Sequence, residues 1–135
     1  MVTNPLHTLI MAITRSNEIL LFDREQRTSQ YLGRLPTSPR HSKGFQCGFI
    51  TDAVAYSIET RGFFRQYYVL NIMDFRLTGR AFEQTVKNIH LCMVGKWWSF
   101  IATYASIDWS IWDPTSRCII IGNKTGIRTI EMEKV

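Results

Sequence analysis

Short apolar runs separated by polar turns make up most of the chain. Residues 6–14 and 19–23 are rich in long and β-branched apolar side chains, and a polar segment, 15–18, lies between them. Runs of this length that are bounded by turn residues are typical of β-strands. The pattern therefore predicts a hairpin near the start of the sequence.

Two longer apolar and aromatic runs follow at 45–58 and 63–77, with a turn predicted at 60–62. Between Tyr67 and Asp74, both sets of alternating positions are mostly apolar. A strand with two apolar faces is covered on both sides. This part of the chain is therefore expected to lie between other layers of the fold.

Residues 80–106 fit two patterns. Apolar residues recur every three or four positions from Phe82 to Tyr104, which is the stripe of an amphipathic helix. Gly95 and Lys96 interrupt that stripe, and residues 97–104 are dense in aromatic and β-branched side chains that suit a sheet better. We favour a short helix near 80–87 followed by strands from Ile89 onward. A helix over 80–105 packed on a sheet is the alternative.

The last third of the chain contains four short apolar runs, at 98–104, 107–112, 117–121 and 127–132. Closely spaced strands joined by turns of this kind form an antiparallel meander. The predicted fold class is therefore mainly β, built from antiparallel meander sheets with at most one short helix. With the longer helix, the fold would be α+β.

Three similar tripeptides mark the ends of apolar runs. Leu21-Phe22-Asp23, Ile72-Met73-Asp74 and Ile111-Trp112-Asp113 each finish with Asp and lead into a polar segment, and we refer to them as the strand-end Asp motifs. An Asp side chain at such a position accepts hydrogen bonds from the backbone of the following turn. The motifs therefore support strands that end in turns, and they explain these acids without catalysis.

The composition is that of a folded protein. Of the 135 residues, 45% are hydrophobic and 20% are charged, so the chain can bury a core without disulfides or a metal ion. We expect a single domain over 1–135. Cys47, Cys92 and Cys118 are widely spaced in apolar surroundings, and we expect buried thiols rather than a disulfide framework or a zinc site.

Two features bear on location. Residues 5–13 are apolar but have no basic leader, which argues against a signal peptide. Lys96 lies at the middle of the most membrane-like stretch, 88–107, where a charge is costly, so no transmembrane helix is predicted. With the absence of a disulfide pattern, these features point to a soluble, intracellular protein of the cytoplasm or nucleus.

The excess of positive charge is local. The chain carries 16 Lys and Arg against 11 Asp and Glu. Much of the net +5 comes from residues 24–43, in which Glu25 is the sole acid. The basic residues there are Arg24, Arg27, Arg34, Arg40 and Lys43. Two prolines and bracketing glycines in 33–44 predict an exposed basic loop. The segment is a candidate contact for RNA or an anionic membrane surface, with a solvated loop as the simpler interpretation.

Four tryptophans, Trp97, Trp98, Trp109 and Trp112, lie close together in the sequence. Such a group forms an aromatic interaction surface when it is exposed and part of the core when it is not. Core packing is the simpler interpretation for at least two of the four. The remaining tryptophans are candidates for a contact with another protein.

Motifs for catalysis are absent. The sequence has no Gly-rich phosphate loop, nucleophile elbow or zinc-binding helix motif, and we predict no cofactor, no metal and no small-molecule substrate. His90 and Cys92 share one face if they lie on a strand, which is the minimum for a Cys-His nucleophile. Ordinary packing is the simpler role for that pair, so we expect a protein that is not an enzyme.

The run Ser99-Phe100-Ile101-Ala102-Thr103-Tyr104, followed by Ile107-Asp108-Trp109-Ser110-Ile111-Trp112-Asp113, resembles the second and third strands of a Trp-Asp-repeat β-propeller blade. The similarity covers about 98–132. It implies that Trp112-Asp113 closes a third strand, and that the two earlier strand-end Asp motifs are degenerate third-strand ends of two earlier blades. The Gly-His pair that precedes such blades is missing, and Asn88-Ile89-His90 is the nearest approach.

Three blades are too few for a ring of the usual four to eight. The resemblance therefore implies that a partner or a second copy supplies the rest. From the residues and the resemblance together, we expect a non-catalytic protein-interaction or assembly module that binds a protein partner or itself. The alternative is a small basic structural or accessory protein, such as a viral one, that binds RNA or a membrane surface.

Overall fold

A computed structural model describes residues 2–14, 16–35, 45–61, 67–77, 79–92, 107–123 and 126–132. In these residues the chain forms three antiparallel sheets and one short helix, so the prediction of a mainly β fold is confirmed. In each sheet, strands that are consecutive in sequence are neighbours. Strands of the predicted run 98–104 and the tryptophans Trp97 and Trp98 lie outside the described residues.

Sheet 1 contains four strands in sequence order. They are β1 (Val2–Thr3), β2 (Leu9–Ile13), β3 (Glu18–Asp23) and β4 (Thr28–Arg34). The predicted hairpin is β2 and β3, in which Leu9 pairs with Asp23 and Ile13 with Ile19. Strand β4 extends to Arg34, so the prediction of a loop over 33–44 begins two residues too early. The rest of that loop, 36–44, is outside the described residues.

Sheet 2 is the second four-stranded meander. Its strands are β5 (Phe45–Phe49), β6 (Val54–Arg61), β7 (Tyr67–Asp74) and β8 (Lys87–Cys92). The run 45–58 is two strands rather than one, because a turn at 50–53 divides it. The hydroxyl of Thr51 accepts hydrogen bonds from the amides of Ala53 and Val54 and thereby stabilises that turn.

Helix α1 (Gly79–Thr85) lies between β7 and β8 in the sequence. The short helix predicted near 80–87 is therefore confirmed, and the alternative of a helix over 80–105 is wrong because the chain enters β8 at Lys87. Phe82 is the one residue of α1 that is buried, and it packs into the core between sheets 1 and 2. In the described part of the chain, α1 is the helix present, and it is too short and too polar to cross a membrane.

Sheet 3 has three described strands, β9 (Trp109–Asp113), β10 (Cys118–Asn123) and β11 (Gly126–Glu131), with β10 in the middle. These strands confirm, within the described residues, the antiparallel meander predicted for 98–132. Cys118 pairs with Asp113 on one side and with Glu131 on the other. Cys118 is buried, as predicted, whereas Cys47 is half-buried.

The sheets pack face to face in the order 1, 2, 3, and sheet 2 is covered on both sides as predicted for 67–74. Met11 and Ile19 of sheet 1 meet Met73 of sheet 2 in the first core cluster. On its opposite face, sheet 2 meets sheet 3 in a second cluster. The second cluster contains Tyr56, Ile58, Tyr68, Leu70, Ile107, Ile119 and Ile121.

The packing of sheet 1 on sheet 2 is repeated between sheets 2 and 3. Strand β1 lies beside β5, and β5 lies beside β9. The side chain of Asn4, just after β1, donates to the main-chain oxygen of Asp52, just after β5, at 3.4 Å. These two strands therefore end at the same edge of the protein and run in the same direction.

Strands β5 and β9 are related in the same way. Gln46 donates to the main-chain oxygen of Asp108 at 3.1 Å, and the hydroxyl of Tyr56 is hydrogen-bonded to that of Ser110 at 2.8 Å. Tyr56 pairs with Gly48 in sheet 2, so positions 46 and 48 lie beside 108 and 110. Helix α1 contacts β4 and β7, and its Phe82 belongs to the core cluster shared by sheets 1 and 2.

A polar row crosses the face of sheet 2 that is turned towards sheet 1. Ser57 pairs with Asn71, and Asn71 pairs with Asn88. The Asn71 amide nitrogen donates to the Ser57 hydroxyl at 3.1 Å, and its oxygen accepts from the Asn88 amide at 2.7 Å. Ser57 and Asn71 are fully buried, so these hydrogen bonds replace water for both side chains.

The three strand-end Asp motifs end β3, β7 and β9, and each Asp supports the turn that follows. Asp23 accepts from the amides of Glu25 and Gln26, Asp74 from Arg76, and Asp113 from Thr115. The first two motifs end the third strand of a four-stranded sheet. The resemblance to a propeller blade itself stays a prediction.

The turns after β3 and β9 share a further feature. Each spans four residues and ends in an arginine, Arg27 or Arg117, whose φ is positive at 55° or 51°. A side chain with a Cβ is disfavoured in that left-handed region by about 1–2 kcal/mol, whereas glycine is not. Both turns therefore hold an arginine where glycine would be less strained.

We expect Arg117→Gly to raise the free energy of unfolding by about 0.5–1 kcal/mol, because the relief of strain exceeds the extra entropy of glycine in the unfolded chain. Urea denaturation followed by far-UV circular dichroism would measure the change. Arg117→Ala is the matched control, since it removes the same guanidinium but keeps the Cβ. Equal effects of the two variants would show that the backbone conformation is not the cause.

Candidate interaction surface

Strand β9 divides its side chains between two faces. Ser110 and Trp112 point towards sheet 2, where Ser110 is hydrogen-bonded to Tyr56 and Trp112 packs on the second core cluster. Trp109 and Ile111 alternate with them and lie on the opposite face. The two described members of the tryptophan group are therefore on opposite sides of one strand and do not form a single surface.

The face that carries Trp109 is the outer face of sheet 3, and it is apolar. Trp109 is 40% exposed, Ile111 54% and Ile127 67%. Ile120 is half-buried and pairs with Ile111, so it extends the same apolar row across β10. We define the sheet 3 outer face by Trp109, Ile111, Ile120 and Ile127.

Gly122 explains how Trp109 lies on this face. The two residues pair across β9 and β10, and a Cβ at Gly122 would be 2.2 Å from the indole ring. The ring therefore lies directly over the glycine backbone. Ile127 pairs with Gly122 on the other side, so the indole ring and the Ile127 side chain belong to one row of the sheet. A large apolar surface left exposed in this way is characteristic of a contact site.

A second apolar face lies at the other end of the series of sheets. Leu20, Phe22 and Tyr31 are exposed on the side of sheet 1 that is turned away from sheet 2, at 39%, 38% and 54%. Leu20 pairs with Tyr31 and Phe22 pairs with Ile10, so the side chains form adjacent rows. We define the sheet 1 outer face by Ile10, Leu20, Phe22 and Tyr31.

The border of the sheet 1 outer face is polar. Glu18 is on the same face of β3 as Leu20, and it forms a salt bridge with Arg34 at 3.0 Å. The hydrogen bond and the charge of Glu18 raise the pKa of Arg34. An apolar centre with a charged border is the usual arrangement of a protein contact surface.

The sequence did not single out the residues of the sheet 1 outer face. A signal was present, since residues 19–22 are four consecutive apolar residues. A strand with two apolar faces is typically covered on both sides. In β3 one face is covered by sheet 2, and the other is the exposed one.

The structure separates the basic residues that were candidates for an anion site. Arg24 and Arg27 are in the turn that joins β3 to β4. Arg34 is at the opposite end of β4 and is paired with Glu18. Arg24 donates to the main-chain oxygen of His7 at 3.2 Å. Arg40 and Lys43 lie outside the described residues. The described members therefore do not form one cluster.

The Cys-His pair considered for catalysis lies at the end of β8. His90 and Cys92 belong to β8, and their side chains are outside the described residues. Burial raises the pKa of the Cys47 thiol, which disfavours the reactive thiolate. Among the described residues, no group of three or more His, Cys, Asp or Glu side chains is arranged to hold a metal ion.

The motif acids are committed to hydrogen bonds in their turns. The Arg76 side chain, which donates to Asp74 from Nε at 2.9 Å, lowers the pKa of that carboxyl. Hydrogen bonds from Ser116 and Thr115 lower the pKa of Asp113. Both carboxyls are thereby held as anions, which suits a turn and does not suit a general acid.

No model of a protein family matches the chain, and no curated protein is similar enough to be reported as a relative.

Proposed function

We propose that this protein is a non-catalytic assembly module that binds other protein chains through the apolar outer faces of sheets 1 and 3. The observation that carries this proposal is the exposure of aligned large apolar side chains on both ends of the sheet series. Burying such side chains is worth about 1.5–3 kcal/mol each, so a few of them can drive association. The turn roles of the motif acids support a structural rather than a catalytic function.

The alternative of RNA or membrane binding has less support. It requires several basic side chains on one surface, and Arg34 is both distant from Arg24 along the strands and neutralised by Glu18. A basic surface contact with phosphates would weaken steeply with salt. Association through apolar surfaces should instead persist or strengthen at high salt.

The proposal predicts self-association that depends on Ile111. Ile111→Glu would place a carboxylate in the interface, and we expect it to weaken association by about 100-fold or more because an unpaired buried charge is costly. Sedimentation velocity at several protein concentrations would measure the effect. Leu6→Glu is the matched control, since Leu6 is also an exposed apolar residue but lies in the loop after β1 rather than on an outer face.

The expected result is an oligomer for the unmodified chain and for Leu6→Glu, and a monomer for Ile111→Glu. A monomer in all three, at every concentration up to the solubility limit, would contradict the assembly function. Circular dichroism of each variant establishes that the fold is retained.

A further inference from the structure

The two outer faces differ in kind, and the internal packing of the protein shows how such faces combine. Sheet 2 receives sheet 1 on one side and sheet 3 on the other. At both junctions the neighbouring strands run in the same direction, β1 beside β5 and β5 beside β9. We call the face of a sheet that is turned towards the next sheet in sequence its forward face, and the face turned towards the preceding sheet its backward face. Each junction therefore joins the forward face of one sheet to the backward face of the next.

In this series the sheet 3 outer face is a forward face, and the sheet 1 outer face is a backward face. A forward face packs on a backward face. The sheet 3 outer face of one copy should therefore pack on the sheet 1 outer face of another copy. Contact between two identical outer faces would instead place forward against forward, a junction that occurs nowhere among the described sheets. The repeated internal junction thus indicates which surfaces should meet.

We propose that a second copy of this chain occupies both outer faces, head to tail, with Ile111 and Trp109 of one copy against Leu20 and Phe22 of the other. This inference rests on the assembly function proposed above and names its partner. An interface between different surfaces of identical chains either closes into a ring or continues as a filament. Strands β1, β5 and β9 are neighbours, whereas α1 contacts β4 and β7, and this arrangement of close strands on one side and an inserted helix on the other favours closure.

The number of copies that we propose is counted from the three sheets of the described residues. Closed rings of radially arranged sheets typically contain four to eight of them. Each chain contributes three sheets in its described residues, so two copies give six, which is within that range, and three copies give nine, which is not. The expected assembly is a dimer in which two equivalent junctions close the ring.

Complementation between two variants tests the head-to-tail arrangement. Phe22→Glu blocks the sheet 1 outer face, and Ile111→Glu blocks the sheet 3 outer face. In a head-to-tail dimer every junction needs one face of each kind, so each variant alone should be a monomer. An equimolar mixture should form a dimer, because the intact sheet 3 face of the Phe22→Glu chain can meet the intact sheet 1 face of the Ile111→Glu chain.

Native mass spectrometry would identify the dimer in the mixture by the two different chain masses. We expect at least about a ten-fold higher fraction of mixed dimer than of either variant's own dimer. The mixed dimer should be weaker than that of the unmodified chain, because only one of its two junctions is intact. If either glutamate perturbs folding, Tyr31→Glu and Ile127→Glu are a second pair at more exposed positions of the same two faces.

The outcomes separate the two proposals. An unmodified chain that dimerises, with one variant still dimeric and no mixed dimer, would overturn the head-to-tail arrangement and leave the assembly function standing. Species that grow beyond the dimer as concentration rises would overturn the closed pair. A monomeric unmodified chain would overturn both proposals.

Discussion

Replacing Phe82 with alanine is expected to lower the free energy of unfolding by about 3–5 kcal/mol, the usual range for truncating a buried phenylalanine. Phe82 is fully buried and stacks on Phe75, with ring centroids 6.2 Å apart and planes at 24°. It is the one side chain by which α1 reaches the core between sheets 1 and 2. The cavity left by alanine would lie between α1 and the two sheets, and the hydrogen bond from the Arg34 amide to Glu83 Oε1, at 3.0 Å, would remain to link α1 to β4.

Chemical denaturation monitored by tryptophan fluorescence and by circular dichroism would measure this loss. Gln84→Ala is the matched control, because Gln84 is an exposed residue two positions further along the same helix. We expect that control to change stability by less than about 0.5 kcal/mol. A loss of under 1 kcal/mol for Phe82→Ala would contradict the placement of α1 between the sheets.

Asn71→Leu is expected to cost about 2–3 kcal/mol, although leucine is the more hydrophobic residue. Asn71 is fully buried and is the central member of the polar row, with hydrogen bonds to Ser57 and Asn88. Leucine fills similar space but leaves the buried Ser57 hydroxyl and the Asn88 amide without these partners. A buried polar group that loses its partner costs about 1–3 kcal/mol.

A double-mutant cycle with Ser57→Ala isolates the reason for that cost. If the unsatisfied hydroxyl causes most of it, Asn71→Leu combined with Ser57→Ala should be less destabilising than the sum of the two single changes. Additive effects would indicate that the volume change, rather than the hydrogen bond, is responsible. Thermal unfolding of all four proteins supplies the comparison.

Local patterns in the sequence predicted much of the sheet structure. The polar segment between two apolar runs predicted the hairpin of β2 and β3, and the motif acids predicted the ends of β3, β7 and β9. The helix ends by Thr85, although the apolar stripe continues at helical spacing to Tyr104. The chain instead enters β8 at Lys87, where it pairs with β7, and this pairing with a strand distant in sequence outweighs the local helical spacing.

The outer faces could not be predicted in the same way, because exposure depends on contacts that are distant in sequence. Ile19 and Leu20 are adjacent and both apolar, yet Ile19 is fully buried and Leu20 is not. The difference arises because sheet 2 covers one side of β3, a packing decided by residues far along the chain. The same is true of Trp109 and Trp112, which the alternation of β9 sends to opposite faces.

The split of the run 45–58 was missed for a related reason. Residues 50–53 contain no glycine or proline, and a side-chain hydroxyl, that of Thr51, stabilises the turn. Threonine is also a favoured strand residue, so its presence alone does not distinguish a turn from a strand. Only the pairing of β5 with β6 reveals which role it has.

The molar mass of the unmodified chain in solution, measured by sedimentation equilibrium over a wide concentration range, tests the central claim most directly. Assembly through the outer faces predicts a mass that approaches twice that of the chain as concentration rises and remains there at high salt. A mass equal to that of a single chain at every concentration would contradict it.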